Sequence, residues 1–168
     1  GLSDQKMTSK VKNLKPDFIG ISALFSSQTE CAFSIAQSLK KTLPKIPIAM
    51  GGNHATECRT QVMSEEKCID FILAGEADNT FPEFIDKYFS GENFLDVPGL
   101  LYRDNGEIRE NPFPKLVHDL DTLPFPAWHL YDMEKYYDIG MPHNPFLKHR
   151  EYGQIITSRG CPYKCYFC

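Results

Sequence analysis

The chain has 168 residues, enough for about one domain, and 42% of them are hydrophobic, as in ordinary globular proteins. A formal net charge of −4 excludes a broad basic surface for nucleic acid, and no apolar run approaches the ~20 residues of a membrane helix. Six cysteines without a signal peptide fit a reducing, cytoplasmic setting with a metal site better than a disulfide framework. Gly1 at one end and Cys168 at the other read as a piece cut at both ends.

Residues 2–14 carry weakly spaced apolar positions, and a helix is expected to end before Pro16. Residues 17–24 form a short apolar run after that proline and read as a buried parallel strand. Ser27-x-x-Glu30 has the form of a capping box, and Ala32, Ile35, Ala36, Leu39 and Leu43 follow at helical spacing up to Pro44. Residues 46–50 make a second strand, broken by Gly51-Gly52, and a weaker helix is expected over 56–66. Residues 68–74 make a third strand, ending in Gly75-Glu76. Thr80-x-x-Glu83 is a second capping box, opening a helix with Phe81, Phe84, Ile85, Tyr88 and Phe89 on one face and Gly91 at its end. Strands alternating with helices predict an α/β fold with a parallel, flavodoxin/Rossmann-like sheet. Three strands are few for such a domain, which agrees with a partial one.

The pattern then changes. Asn105-Gly106 between two short extended runs is a hairpin signal. Residues 111–145 are rich in proline and aromatics, including Leu123-Pro124-Phe125-Pro126-Ala127-Trp128, and read as an ordered linker draped over a domain surface. Residues 154–157 make a last strand. Cys161, Cys165 and Cys168 follow it directly at the spacing C-x3-C-x2-C.

Three thiolates on so tight a loop can hold one metal centre, and iron–sulfur clusters are held by cysteine thiolates, commonly four. Three leave one iron of a four-iron cluster open to a substrate or chelating cofactor. A structural zinc site prefers paired knuckles and four ligands, and no second knuckle stands in this chain. Cys31, Cys58 and Cys68 are scattered; Cys31 and Cys68 flank apolar runs and are expected to be small buried hydrophobes rather than ligands.

Ligands of open α/β sheets bind beyond the carboxyl ends of the strands. Those ends here read Ser22-Ala23-Leu24, Gly51-Gly52-Asn53-His54 and Gly75-Glu76-Ala77-Asp78. Small residues at neighbouring strand ends let a ligand approach the backbone closely. The plainer readings are a strand-to-helix turn for the two glycines, a solvated side chain for His54 and a helix-dipole partner for Glu76.

The cysteine loop, with Phe167 before its third cysteine, resembles the signature of radical S-adenosylmethionine (SAM) enzymes. Ser22-x-Leu24 followed by Gly51-Gly52 resembles the cobalamin-binding domain, and Gly-Gly-x-His, the later Gly-Glu and the Leu-Pro-Phe-Pro-Ala-Trp linker are typical of its version fused to radical SAM enzymes. The resemblance covers about residues 16–168. It departs from the family's Gly-Glu-Gly-Glu at Ala77 and Asp78, and the Asp-x-His-x-x-Gly motif is not in this chain.

The resemblance implies a partial cobalamin-binding α/β domain over 1–95, a hairpin and linker over 96–152, and the start of a radical SAM (β/α) barrel over 153–168. It implies a 4Fe-4S cluster on Cys161, Cys165 and Cys168, whose open iron binds SAM, and reductive cleavage of SAM to begin radical chemistry. It implies cobalamin contacts from Ser22, Leu24, Gly51, Gly52, His54, Gly75 and Glu76, with methyl transfer through methylcobalamin or, in other members, cyclisation. No general base is assigned. The expected partners are an external electron donor of flavodoxin or ferredoxin type and a small-molecule substrate of unknown identity. Two other readings stand beside this: a radical SAM enzyme whose α/β domain is vestigial or binds substrate, and a non-catalytic flavodoxin-like sensory or electron-transfer module. This stretch alone is expected to be inactive.

Overall fold

The computed structural model describes residues 2–139, 149–153, 156, 158–161 and 163–166. Two compact units divide at Leu123, Gly1–Leu123 and Pro124–Cys168. Among the described residues no helix is long and apolar enough to cross a membrane.

The first unit is a five-stranded sheet in the order β1 (Ile19–Ser22), β2 (Ile48–Gly51), β3 (Phe71–Leu73), β4 (Leu100–Asp104), β5 (Glu107–Glu110). The first three strands are parallel neighbours, as their short apolar runs separated by helices predict. The last two are antiparallel to their neighbours, so the hairpin assigned from sequence to a segment of its own extends the sheet. Its turn is made by Asn105 (φ 50°) and Gly106 (φ 88°), the two positive φ values of a type I′ turn.

The connecting helices cover both faces. α1 (Asp4–Leu14) lies against α2 (Thr29–Thr42), with the Ser34 hydroxyl donating to Asp4 at 2.5 Å. Apolar residues of α2, α3 (Asn53–Glu57) and α4 (Arg59–Glu65) form one core with Ile48, Met50, Ile72 and Leu101. α5 (Thr80–Ser90) covers the opposite face with Ala49, Leu73, Leu100 and Phe71. Residues adjacent in sequence, such as Leu100 and Leu101, thus enter different cores, as strand alternation requires. On the α5 face Phe71 and Phe84 meet edge to face at 5.0 Å, with Phe18, Tyr88 and Phe94 around them. Such aromatic pairs contribute about 0.5–1.5 kcal/mol each beyond their buried area.

Two polar anchors tie helices to strands. One Asp70 oxygen accepts from the Ile48 amide at 2.7 Å and from Lys40 at 2.6 Å. The Arg103 guanidinium donates to the carbonyls of Met63 in the last turn of α4 and of Glu66 and Ile69 in the segment that follows it.

Neither predicted capping box forms. An N-cap residue needs extended backbone, and the residues before α2 and α5 are already helical, with Gln28 at φ −102°, ψ −2° and Asn79 at φ −99°, ψ −36°. The Thr29 hydroxyl instead donates to the Ser26 carbonyl at 2.8 Å, and Glu83 pairs with Lys87 at 2.8 Å. The single helix expected over 56–66 is two helices, broken at Cys58. Cys31 is exposed on α2 rather than buried, whereas Cys68 is half-buried and packs against the core.

In the second unit, α6 (Met133–Ile139) follows a turn at Trp128–Leu130. Arg150 pairs with Glu134 at 2.9 Å and Asp138 at 2.5 Å, and the Tyr137 and Tyr152 rings meet at 5.6 Å. The strand predicted over 154–157 lies largely outside the described residues.

Candidate functional site

The carboxyl ends of β1 and β2 build the first half of the site. Ser22 and Gly51 are direct register partners there. Gly20 on the same strand faces Phe81 of α5, 3.8 Å from where a Cβ would stand, so alternation puts Ser22 on the α5 face as well. Gly51 shares that face with Ala49. A Cβ on Gly51 would meet only the Leu73 carbonyl at 3.5 Å, an ordinary contact. Ser22 is exposed, and its hydroxyl makes no hydrogen bond among the described residues. The result is a side-chain-free floor beside an open hydroxyl.

Gly52 has a different duty. It stands at φ 94°, ψ 172°, a region that is essentially glycine-only, and a Cβ there would lie 2.6 Å from the Ala23 carbonyl oxygen. The two strand ends are pinned to each other: the Ala23 amide donates to Gly51 O at 2.8 Å, and the His54 amide donates to Ala23 O at 3.1 Å. The His54 ring is set by two neighbours, a hydrogen bond between Nδ1 and the Ser26 hydroxyl at 2.9 Å and an edge contact with Phe33 at 6.4 Å. Leu24 and Phe25, 52% and 62% exposed, form an apolar lip beside this turn.

The end of β3 is covered by the chain itself. Residues 111–117 return over it as a strap. Pro114 and Phe113 lie 3.0 and 3.2 Å from the position of a Cβ on Gly75, which stands at φ 85°. The Gly75 amide donates to the Thr56 hydroxyl at 3.1 Å, and a Glu76 carboxylate oxygen accepts from the Val117 amide at 3.2 Å. Arg59 stacks over Phe113 at 4.7 Å while pairing with Glu110 at 2.6 Å. So Ser22, Leu24, Gly51, Gly52 and His54 stand at the ends of β1 and β2, and Gly75 and Glu76 sit under the strap at the end of β3. Ser26, Phe25, Thr56 and Arg59 carry no motif that marks them in the sequence; Ser26 is tied to a residue 28 positions on.

Cys161 and Cys165 are exposed and free of disulfides, and Cys168 lies outside the described residues. Among the described residues no group of three or more metal-binding side chains comes together. A polar groove of about 570 Å³ between α1 and α2, lined by Asp4, Thr8, Lys12 and Lys41 among others, is built from none of the predicted site residues.

Comparison with known proteins gives the family and the fold. The family of the B12 binding domain matches residues 2–85. An uncharacterized methyltransferase of Pyrococcus horikoshii is 34% identical over 158 residues, covering 94% of this chain and 32% of the relative. The cytidylyl-2-hydroxyethylphosphonate methyltransferase of Streptomyces wedmorensis is 29% identical over 189 residues, covering 100% and 35%. Among solved structures, the cobalamin-dependent SAM radical enzyme OxsB, with aqua-cobalamin and SAM bound, superposes with a TM-score of 0.60 at 20% identity. That match covers 69% of this chain and 16% of OxsB, and at this identity it shows the fold. The chain spans about a third of the length of the curated relatives it matches.

Proposed function

Because the chain belongs to the B12 binding domain family, we propose that the crevice at the ends of β1 and β2 holds cobalamin in an enzyme that also uses SAM and a 4Fe-4S cluster. The observation that carries this is the Ser22–Gly51 pair, a glycine without a Cβ beside an exposed hydroxyl. The residues present fit the group. A planar macrocycle needs an apolar lip, which Leu24 and Phe25 supply, and its tail needs backbone approach without a Cβ, which Gly51 supplies. Bound cobalamin would supply a transferable methyl group, and the cluster would supply the electron that opens SAM. Gly52 shapes the turn, Ser22 would offer the bound group a hydrogen bond, and Leu24 and Phe25 would shield it from water. Cys161, Cys165 and Cys168 would hold the cluster. The relatives' printed activities favour methyl transfer as the outcome.

The test is titration of the intact protein with hydroxocobalamin beside an iron assay. Stoichiometric corrinoid is expected. Gly51→Leu should weaken it by roughly one to two decades, since overpacking costs about 1–3 kcal/mol and each decade is ~1.4 kcal/mol. Iron should not change. A wild-type protein with full iron and no corrinoid would assign the α/β unit to the vestigial or substrate-binding reading.

A further inference from the structure

His54 and Ser26 are held together from different elements, at the same β1 and β2 ends where Ser22 and Gly51 pair. His54 is in α3, whose Ala55 packs into the core shared with α2 and α4, on the face opposite α5. Its backbone is fixed by Ala23 and its ring by Phe33. The Ser26 hydroxyl occupies Nδ1 at 2.9 Å, and Nε2 has no partner among the described residues. A half-buried imidazole with one nitrogen tied and the other presented is arranged to meet a ligand.

Resting on the cobalamin reading above, we propose that Ser26 is a positioning residue that aims His54 Nε2 at a carboxamide on the rim of the corrin ring. The chemistry favours an amide. An imidazole tied at Nδ1 presents either an N–H or a lone pair at Nε2, depending on the direction of the Ser26 bond. A carboxamide offers both a carbonyl and an N–H, so it satisfies either tautomer; a phosphate satisfies only one. The corrin ring carries a fringe of such amides. The Ser22–Gly51 floor would then take the nucleotide tail, and His54 the ring.

The experiment compares cobalamin with cobinamide, which lacks the tail, on the intact protein by absorbance titration. Ser26→Ala should weaken both corrinoids by the same factor, about 3- to 10-fold, the loss of one hydrogen bond. Ser26→Thr should restore binding, and the melting temperature should stay with the wild type. Gly51→Leu should weaken cobalamin alone. In a His54→Gln background, Ser26→Ala should have no further effect, because the two residues act as one unit. Unchanged cobalamin affinity in Ser26→Ala, or a penalty that vanishes on cobinamide, would overturn the assignment while leaving the cobalamin reading intact. A wild-type protein that holds neither corrinoid would overturn the reading itself.

Discussion

Two adjacent glycines separate a structural duty from a binding one, and alanine at each tells them apart. At Gly52 an added methyl would meet Ala23 backbone atoms at 2.6, 2.8 and 3.0 Å. Ala23 cannot retreat, since its amide and carbonyl are both committed to the neighbouring turn. Backbone in this glycine-only region costs about 1–3 kcal/mol for any other residue. The overlap costs about 1–3 kcal/mol more. A central sum of about 4 kcal/mol, at ~2–4 °C per kcal/mol for a chain of this size, lowers Tm by about 12 °C. At Gly51 the φ is not positive and the nearest atom is 3.5 Å away. Gly51→Ala should therefore leave Tm unchanged or raise it by a few degrees, because the unfolded chain loses freedom worth about 0.4–1 kcal/mol. Thermal melting with urea denaturation on both variants decides it. A Gly52→Ala protein melting within about 2 °C of wild type would refute the argument.

Two further outcomes follow from the polar contacts. Asp70→Ala strips the acceptor from the Ile48 amide and leaves Lys40 without its carboxylate, so a loss of about 1–3 kcal/mol in urea denaturation is expected, with Asp70→Asn retaining part of it. Burial, reinforced by the nearby Glu66, pushes the Cys68 thiol up to about 11 from 9.0, so its neutral form is favoured in the fold. Below pH 9 both states hold the proton and stability is unaffected; it falls as pH rises from 9 to about 11, where only the unfolded chain ionises. Alkylation followed by mass spectrometry at pH 8 should accordingly label exposed Cys31 well before Cys68, and the reverse order would contradict the structure.

The sequence by itself determined what depends on near neighbours. Short continuous apolar runs and helices of period 3.6 marked β1, β2, β3, α2 and α5, and Asn105-Gly106 marked the hairpin, because these signals are local. The parallel pairing of β1, β2 and β3 followed from strands alternating with helices, whereas the joining of β4 and β5 to the same sheet did not. What depends on docking was not legible. The cap motifs at Ser27 and Thr80 were locally correct, yet the turns that deliver the chain to the sheet had already set Gln28 and Asn79 helical. Only the tertiary structure decided that one glycine serves the turn and the other leaves open floor, since that depends on where Ala23 lies across the strand ends. It also decided that Glu76 meets Val117, 41 positions on, and that Ser26 meets His54. Those pairings are set by how β1, β2 and the strap pack together, and packing over such separations leaves no period in the sequence.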